Sequence, residues 1–273
     1  MTFAMLFDAS KCTACRGCQV ACKQWNDLPG EVTHNTGSYQ NPPRLSADTW
    51  LLMEFREVEN GDGLKWGFRR RACMHCRHPA CASACPVGAL HKTDEGPVLY
   101  NQDRCIGCRY CMLACPFDVP TFTWNRGLFK GAVIRKCTFC IDRVSAGLET
   151  ACAKTCPARA LLFGERDDLI AEAEARLQAH PDKYVPHIYG KEEAGGTNVL
   201  YISHIPFEEL GMPSLGEAPV QERSEQIMER ATPAALVGML VGLGGLYWVV
   251  KRRNEMMAKK GSGAARGDEE APS

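Results

Sequence analysis

The longest apolar stretch of the chain lies near its C-terminus and predicts a transmembrane helix. It runs from Ala231 to Val250 without a charged residue, and Tyr247 and Trp248 close it at the depth of an interfacial aromatic belt. A helix rises about 1.5 Å per residue, so this stretch is long enough to span the hydrocarbon core of a bilayer. We predict a membrane span over residues 231–251, with a buried core helix as the alternative.

Basic residues are concentrated on the C-terminal side of this stretch. They are Lys251, Arg252, Arg253, Lys259, Lys260 and Arg266. By the positive-inside rule the C-terminus is expected in the cytoplasm and the preceding domain on the far side. The first ten residues have no basic region and no long apolar core, so no signal peptide is predicted there.

Short alternating patterns elsewhere predict small strands. We expect a strand at Ala89–His91, a turn at Asp94–Gly96 and a returning strand at Val98–Tyr100. The segment PARALLFG, residues 157–164, predicts a similar strand. An amphipathic helix is predicted over Asp167–His180, because Leu169, Ala173 and Leu177 fall on one face.

The remaining C-terminal parts lack such patterns. Residues 190–230 are rich in Gly, Pro and Glu, and we expect an extended arm leading to the membrane. The tail over residues 252–273 is polar and ends in GSGAARGDEEAPS, which predicts disorder.

The net charge gives no support for a nucleic-acid-binding protein, whereas the cysteine pattern indicates a metal-binding one. The 32 basic and 32 acidic residues balance to a net charge of +0, so there is no global electrostatic case for nucleic-acid binding. All 16 cysteines fall into four groups of four along the chain. The groups are Cys12, Cys15, Cys18 and Cys22; Cys73, Cys76, Cys81 and Cys85; Cys105, Cys108, Cys111 and Cys115; and Cys137, Cys140, Cys152 and Cys156.

The spacing within the groups indicates [4Fe-4S] clusters. The first and third groups have the C-x2-C-x2-C-x3-C pattern of bacterial ferredoxins, and three of the four groups end in Cys-Pro. Structural zinc is the main competitor, but three cysteines at two-residue intervals and a fourth beyond exceed a zinc knuckle. A disulfide scaffold is a weaker alternative. Sixteen thiolates at four per cluster predict four [4Fe-4S] clusters.

The groups are predicted to exchange their fourth cysteines. In ferredoxin modules with two clusters, the fourth cysteine of each run binds the other cluster of the pair. The third and second groups flank the predicted hairpin, whereas the first and fourth groups have no such neighbour and are expected to pair with each other. The predicted quartets are Cys12, Cys15, Cys18 and Cys156 (first); Cys22, Cys137, Cys140 and Cys152 (second); Cys73, Cys76, Cys81 and Cys115 (third); and Cys85, Cys105, Cys108 and Cys111 (fourth).

The predicted fold class is α+β. It contains two ferredoxin-like modules, one inserted in the other, carrying four [4Fe-4S] clusters, plus one C-terminal transmembrane helix. The predicted divisions are 1–22 with 137–165 for the split outer module, 23–72 for an insert, 73–120 for the inner module, 121–136 for a connector, 166–230 for the helix and arm, 231–251 for the transmembrane helix and 252–273 for the tail.

Other side chains near the cysteines suggest support of the clusters rather than catalysis. His75 and His78 lie inside the second group, where four thiolates already supply the ligands, so we expect them to have a supporting or surface role. Basic residues near an anionic cluster favour its reduced state, although a solvated or docking face is an equal alternative. They are Arg69, Arg70, Arg71, Arg77, Arg104, Arg109, Arg135, Lys136, Arg143 and Lys154. No nucleotide-binding, hydrolase or metalloprotease motif is present, so no catalytic residue is predicted.

Beyond the cysteines, the chain resembles a known family. The stretches that carry the resemblance are CKQWNDLPGE, GSYQNPPRLSADTW, KCTFCIDRVSAGLETACAKTCP and GGTNVLYISH. The cysteine groups are similar to those of the electron-transfer subunits of molybdopterin oxidoreductases. The other stretches most resemble the β subunits of membrane-bound formate dehydrogenases.

The resemblance implies a set of partners and a place in the cell. A molybdopterin catalytic α subunit, containing molybdenum or tungsten, oxidises formate, and electrons pass through the four clusters to a cytochrome b γ subunit and quinone. The complex is expected to be a higher oligomer in the bacterial inner membrane with the cluster domain in the periplasm. Without an export signal of its own, that domain is expected to cross folded, with a partner that carries a twin-arginine signal. The equivalent subunit of a hydrogenase or a sulfur-compound reductase remains an alternative.

Overall fold

The computed structural model describes residues 2–35, 37–60, 63–123 and 131–264. The chain divides into two compact units, Met1–Gln221 and Glu222–Ser273. Its strands are β1 (Phe3–Asp8), β2 (Leu52–Asn60), β3 (Gly63–Arg71), β4 (Leu90–Lys92), β5 (Val98–Tyr100), β6 (Thr121–Thr123), β7 (Val133–Arg135), β8 (Leu161–Glu165) and β9 (Val199–Ile202). Its α-helices are α1 (Gly17–Trp25), α2 (Ala80–Ser83), α3 (Tyr110–Ala114), α4 (Ile141–Ser145), α5 (Ala151–Lys154), α6 (Arg166–Ala179), α7 (Glu222–Gln226) and α8 (Thr232–Ala264).

A three-stranded sheet organises the first unit. Strand β1 lies in the middle, antiparallel to β8 and parallel to β9. Both faces of β1 are buried, because alternate side chains enter different cores. Met5 and Phe7 pack in the larger core with several cysteines, while Ala4 and Leu6 face α6. The sheet therefore connects the first cysteine group to the chain that follows the fourth.

Three two-stranded ribbons complete the described part of this unit. Strand β2 pairs with β3, β4 with β5 and β6 with β7, all antiparallel. The predicted hairpin between the second and third cysteine groups is present, with Leu90 opposite Tyr100 and a turn at residues 94–96. Its first strand begins one residue later than predicted. The predicted strand within residues 157–164 is also present, as β8.

Helix α6 agrees with the amphipathic pattern over Asp167–His180. It begins one residue earlier, at Arg166, and ends at Ala179. Leu169 and Ala173 are buried in the smaller core, with Leu177 packed at its edge. Two acidic residues in its first turn face the positive end of the helix dipole, which stabilises this start.

The predicted extended arm over residues 190–230 is wrong. Strand β9 lies inside this range, is fully buried and pairs with β1. The apolar run VLYI was obscured by the Gly- and Pro-rich segments around it, which form turns. Gly190, for example, has φ +93°, and a Cβ there would lie 2.7 Å from the Val199 carbonyl oxygen. From Glu222 to Ala264 the chain is helical.

The second unit contains the predicted membrane segment. The helix spanning Glu222–Ala258, which includes α7, a π-helical turn at Ile227–Ala231 and most of α8, is long and apolar enough to cross a membrane. The predicted disorder over residues 252–273 is wrong for 252–264, which continue α8. Residues such as Lys, Arg, Met and Ala favour helix there. Residues 265–273 lie outside the described part of the chain.

Candidate iron–sulfur centres

The four cysteine groups share one backbone feature. In each group, the residue just before the second cysteine has a left-handed conformation. These residues are Ala14 (φ 53°), His75 (φ 48°), Gly107 (φ 73°) and Phe139 (φ 62°). Such angles are uncommon for residues other than glycine. The turn directs backbone N–H groups toward sulfur: the amides of Ala14 and Phe139 each lie 3.4 Å from the Sγ atom of the group's first cysteine.

The first predicted quartet surrounds a cavity. Cys12, Cys15, Cys18 and Cys156 all lie in its lining. The first three come from the loop before α1 and from the first turn of that helix. Arg16, the residue just before α1, has a left-handed conformation. The fourth follows α5, which packs against α1. The fold thus joins sulfur atoms from both ends of the unit.

The second predicted quartet lies deeper. Cys22, Cys137, Cys140 and Cys152 are all buried and line one cavity. Cys22 lies on α1, one turn beyond the first quartet, while the other three lie around α4 and α5. The cysteines of this quartet are therefore more shielded from solvent than those of the first.

The third and fourth predicted quartets are also assembled. Cys85, Cys105, Cys108 and Cys111 line a third cavity. In the third quartet, the pKa of Cys76 is raised by burial and by its proximity to the thiols of Cys73, Cys115 and Cys81. Three of the predicted quartets thus line cavities, and the other cysteines of the third lie near Cys76.

Several of these buried thiols would hold their protons without iron. Burial, followed by the neighbouring thiol of Cys156 and others, raises the pKa of Cys12 to about 11, despite a backbone hydrogen bond that lowers it. Burial likewise raises the pKa of Cys18 to about 12 and that of Cys137 to about 11. Because iron binds thiolates, cluster formation must displace these protons. This donor set, with open space between four sulfur atoms, fits iron–sulfur clusters.

The quartets follow one another in a row, because each has a residue close enough to the next to interact with it electrostatically. Arg70 lines both the first and the second cavity. Cys137 of the second quartet lies near Cys73 of the third, and Cys81 of the third lies near Cys111 of the fourth. Of the sixteen cysteines, only Cys15 and Cys108 are exposed, and they belong to the first and last quartets. The row is therefore most accessible at its two ends.

The two histidines of the second group differ in environment. His78 is exposed, as a surface role requires. His75 is fully buried, and its Nδ1 atom accepts a hydrogen bond of 3.0 Å from the Val98 amide. Burial and the nearby Lys136 hold its pKa well below the usual value, so the ring is neutral with its proton on Nε2. That atom lacks a partner among the described residues and suits donation to a cluster sulfur.

The basic residues near the cysteines separate into two classes. Arg70 and Lys136 are each only 1% exposed, whereas Arg77, Arg104 and Arg109 lie on the surface. Their positions next to the cysteines in the sequence do not distinguish the two classes. The alternation of side chains along β3 could have indicated that Arg70 is buried, because Arg70 lies on the same face of the strand as the aromatic residues Trp66 and Phe68.

Comparisons with known proteins support the interpretation of the cysteines. Residues 64–166 match the family of 4Fe-4S dicluster domains. This match favours iron–sulfur clusters over zinc or disulfides, and it agrees with a ferredoxin-type, mixed α/β domain.

Three relatives cover most of the chain. The nitrate-inducible formate dehydrogenase iron-sulfur subunit of Escherichia coli strain K12 is 38% identical over 249 residues, which cover 90% of this chain and 83% of the relative. The formate dehydrogenase-O iron-sulfur subunit of the same strain is 41% identical over 204 residues, with 74% and 66% covered. The hydrogenase-2 operon protein HybA of Escherichia coli O157:H7 is 32% identical over 289 residues, with 93% and 85% covered. With this identity over most of its length, the chain belongs to the family of formate dehydrogenase iron–sulfur subunits.

Proposed function

We propose that this chain passes electrons through four [4Fe-4S] clusters, from a formate-oxidising catalytic subunit to a membrane cytochrome b and quinone. The observation that carries the proposal is the row of four cysteine quartets with its exposed cysteines at the two ends. Electrons can enter at one end and leave at the other, while the middle is shielded from water.

The proposed ligands are the four predicted quartets. Each bound cluster supplies a one-electron redox couple held by thiolates. The protein's own contribution is to hold the sulfur atoms around each cavity, to direct amide N–H groups toward sulfur and to shield the second quartet from solvent. No side chain of this chain is assigned a catalytic role.

Secondary-structure packing supports the nested modules. Strand β1 before the first cysteine group pairs with β8 after the fourth, and α1 packs against α5. In the inner segment, α2 packs against α3 and β4 pairs with β5. The same combination of helix pair and strand pair thus occurs twice, once across the ends of the unit and once between them.

The helix at Glu222–Ala258 is proposed to anchor the chain in a bacterial inner membrane. The basic residues after it support a cytoplasmic C-terminus and a periplasmic cluster unit. The proposed partners are a molybdopterin α subunit and a cytochrome b γ subunit, in a higher oligomer. Export in the folded state with a signal-bearing partner accounts for a periplasmic unit of this kind. Protease access in sealed cells tests the orientation, and a protected cluster unit would contradict it.

The decisive experiment uses the native complex, purified anaerobically in mild detergent. Iron and acid-labile sulfide are measured first, and four clusters require at least sixteen of each per chain, in addition to the haem iron of the cytochrome b subunit. Formate is then added while absorbance and electron paramagnetic resonance (EPR) spectra are recorded. Bleaching with new reduced-cluster signals would support the proposal. Zinc without sulfide would refute the redox function.

A hydrogenase partner is the second candidate, because the likeness to HybA covers 93% of this chain. Adding hydrogen in place of formate separates the two. Reduction by hydrogen but not by formate would keep the electron-transfer role and reject the formate partner. Reduction by dithionite alone would reject both partners.

A further inference from the structure

Arg70 is a buried cation without an acidic partner in the part of the chain that the structure describes. Its side chain extends inward from β3 and is 1% exposed. Among the described residues no carboxylate lies within 4.0 Å of its guanidinium, and the Nε and Nη1 atoms lack hydrogen-bond partners. A buried charge of this kind is strongly unfavourable unless an anion compensates it. The guanidinium of Arg70 therefore requires a compensating anion other than a carboxylate of the described residues.

The surroundings of Arg70 indicate which anions these are. The side chain lines both the first and the second cavity. Its Nη2 atom lies 3.7 Å from the Sγ atom of Cys152. Cys18 lies with it in the lining of the first cavity, and Cys22 and Cys137 lie with it in the lining of the second. One guanidinium thus faces two groups of thiolates.

The neighbouring arginines are arranged differently. Arg69 and Arg71 point to the other face of β3, where both form ion pairs with buried Glu54 at N–O distances of 3.4 and 3.2 Å. Their charges are offset locally. The Tyr201 hydroxyl donates a 2.5 Å hydrogen bond to the Arg70 carbonyl, which fixes the strand at this point. Only the middle arginine of the three is directed at the cavities.

We infer that Arg70 is the shared counterion of the first and second clusters and raises the reduction potential of both. A cluster gains negative charge when it accepts an electron, and a nearby desolvated cation stabilises that state. Because one charge serves both clusters, their potentials move together when it is removed. The inference rests on the proposed function, since it requires clusters in both quartets.

The test compares Arg70→Gln, which removes the charge, with Arg70→Lys, which keeps it, in the full native complex. Arg69→Gln is the matched control, because it removes a paired charge one residue away. Redox titration followed by EPR measures each cluster. Signals are assigned with Cys15→Ser for the first cluster and Cys140→Ser for the second.

In Arg70→Gln, we expect the equilibrium constants for reducing the first and second clusters to fall at least tenfold, which is about 59 mV for a one-electron couple. The third and fourth clusters should be unchanged. Arg70→Lys should restore most of the shift, and Arg69→Gln should show none. Unchanged potentials in Arg70→Gln, a shift of only one cluster, or an equal shift of all four would overturn the inference.

Cluster loss is also informative. If Arg70→Gln loses the first two clusters and Arg70→Lys retains them, the requirement for the charge is upheld. If both variants lose them alike, the side chain only fills space and the inference fails. A wild-type complex without iron and sulfide would instead refute the proposed function.

Discussion

Asp8 connects the first cysteine group to the rest of its unit. It ends β1 and is fully buried. One carboxylate oxygen accepts hydrogen bonds from the Ser10 amide at 3.0 Å and the Ser10 hydroxyl at 2.6 Å. The other accepts from Arg176 on α6 at 3.0 Å and from the Tyr184 hydroxyl at 2.9 Å. Asp8→Asn keeps the shape but replaces the second oxygen with an amide donor that faces two donors.

The expected loss of stability in Asp8→Asn depends on the burial of the ion pair and on the second carboxylate that Arg176 keeps as a partner. Breaking a buried ion pair from one side costs about 3–5 kcal/mol. Arg176 is 14% exposed and keeps Glu172 at 2.7 Å, so we expect the lower part of this range, about 3 kcal/mol. For a unit of this size, 1 kcal/mol corresponds to about 2–4 °C in Tm. Asp8→Asn should therefore lower Tm by about 6–12 °C.

The assay is thermal denaturation of the anaerobic complex, followed by circular dichroism and cluster absorbance. Glu172→Gln is the control, because it removes the half-exposed partner of the same arginine and should cost no more than about 1 kcal/mol. A Tm loss in Asp8→Asn no greater than that of Glu172→Gln would refute the reasoning. A double variant, Asp8→Asn with Arg176→Gln, should cost less than the sum of the single changes, because the arginine is then no longer left unpaired.

Further predictions concern glycine, pH and the helix. Gly107 and Gly147 have nearly equal φ, 73° and 72°, but a Cβ at Gly107 would lie 2.5 Å from a backbone oxygen and one at Gly147 meets nothing within 4 Å. Gly107→Ala should lose the fourth cluster by iron analysis, while Gly147→Ala retains it. Iron-free protein should be most stable below pH about 9 and lose stability toward pH about 11, because burial raises the pKa of thiols such as Cys137 on folding. Chemical denaturation at several pH values measures this dependence. A free energy of unfolding that does not change with pH would contradict it. Expressed alone, the chain should fractionate with membranes, and deletion of residues 222–264 should release it; membrane association that survives the deletion would disprove anchoring by this helix.

The cysteine pattern contained most of what could be predicted. Ligand spacing is set by local chemistry, so the groups and the hairpin between them follow from the sequence, and the family comparison confirmed the formate dehydrogenase likeness. The arm over residues 190–230 was predicted wrongly because composition over a long window hides a four-residue apolar strand. Whether Val199–Ile202 pairs with β1 depends on contacts nearly two hundred residues apart, which no local pattern encodes.

The left-handed turns were beyond sequence reasoning for a different reason. Ala14 and Phe139 have no intrinsic preference for positive φ, so the conformation is imposed by the packing around each cavity. Burial of Arg70 could have been suspected from strand alternation. Its lack of an acidic partner among the described residues could not have been suspected from the sequence, because it depends on where Glu54 lies on the neighbouring strand.

The parallel pairing of β1 with β9 has a consequence for biosynthesis. The middle strand of the sheet is made first, yet its partner at Val199–Ile202 is made nearly two hundred residues later. At about 5–20 residues per second, β1 waits on the order of 10–40 s for that partner. The third and fourth quartets lie within residues 73–115 and are complete much sooner. We therefore expect the interior of the chain to acquire iron ahead of its N-terminal cysteines, and a chaperone that shields β1 would act during this interval.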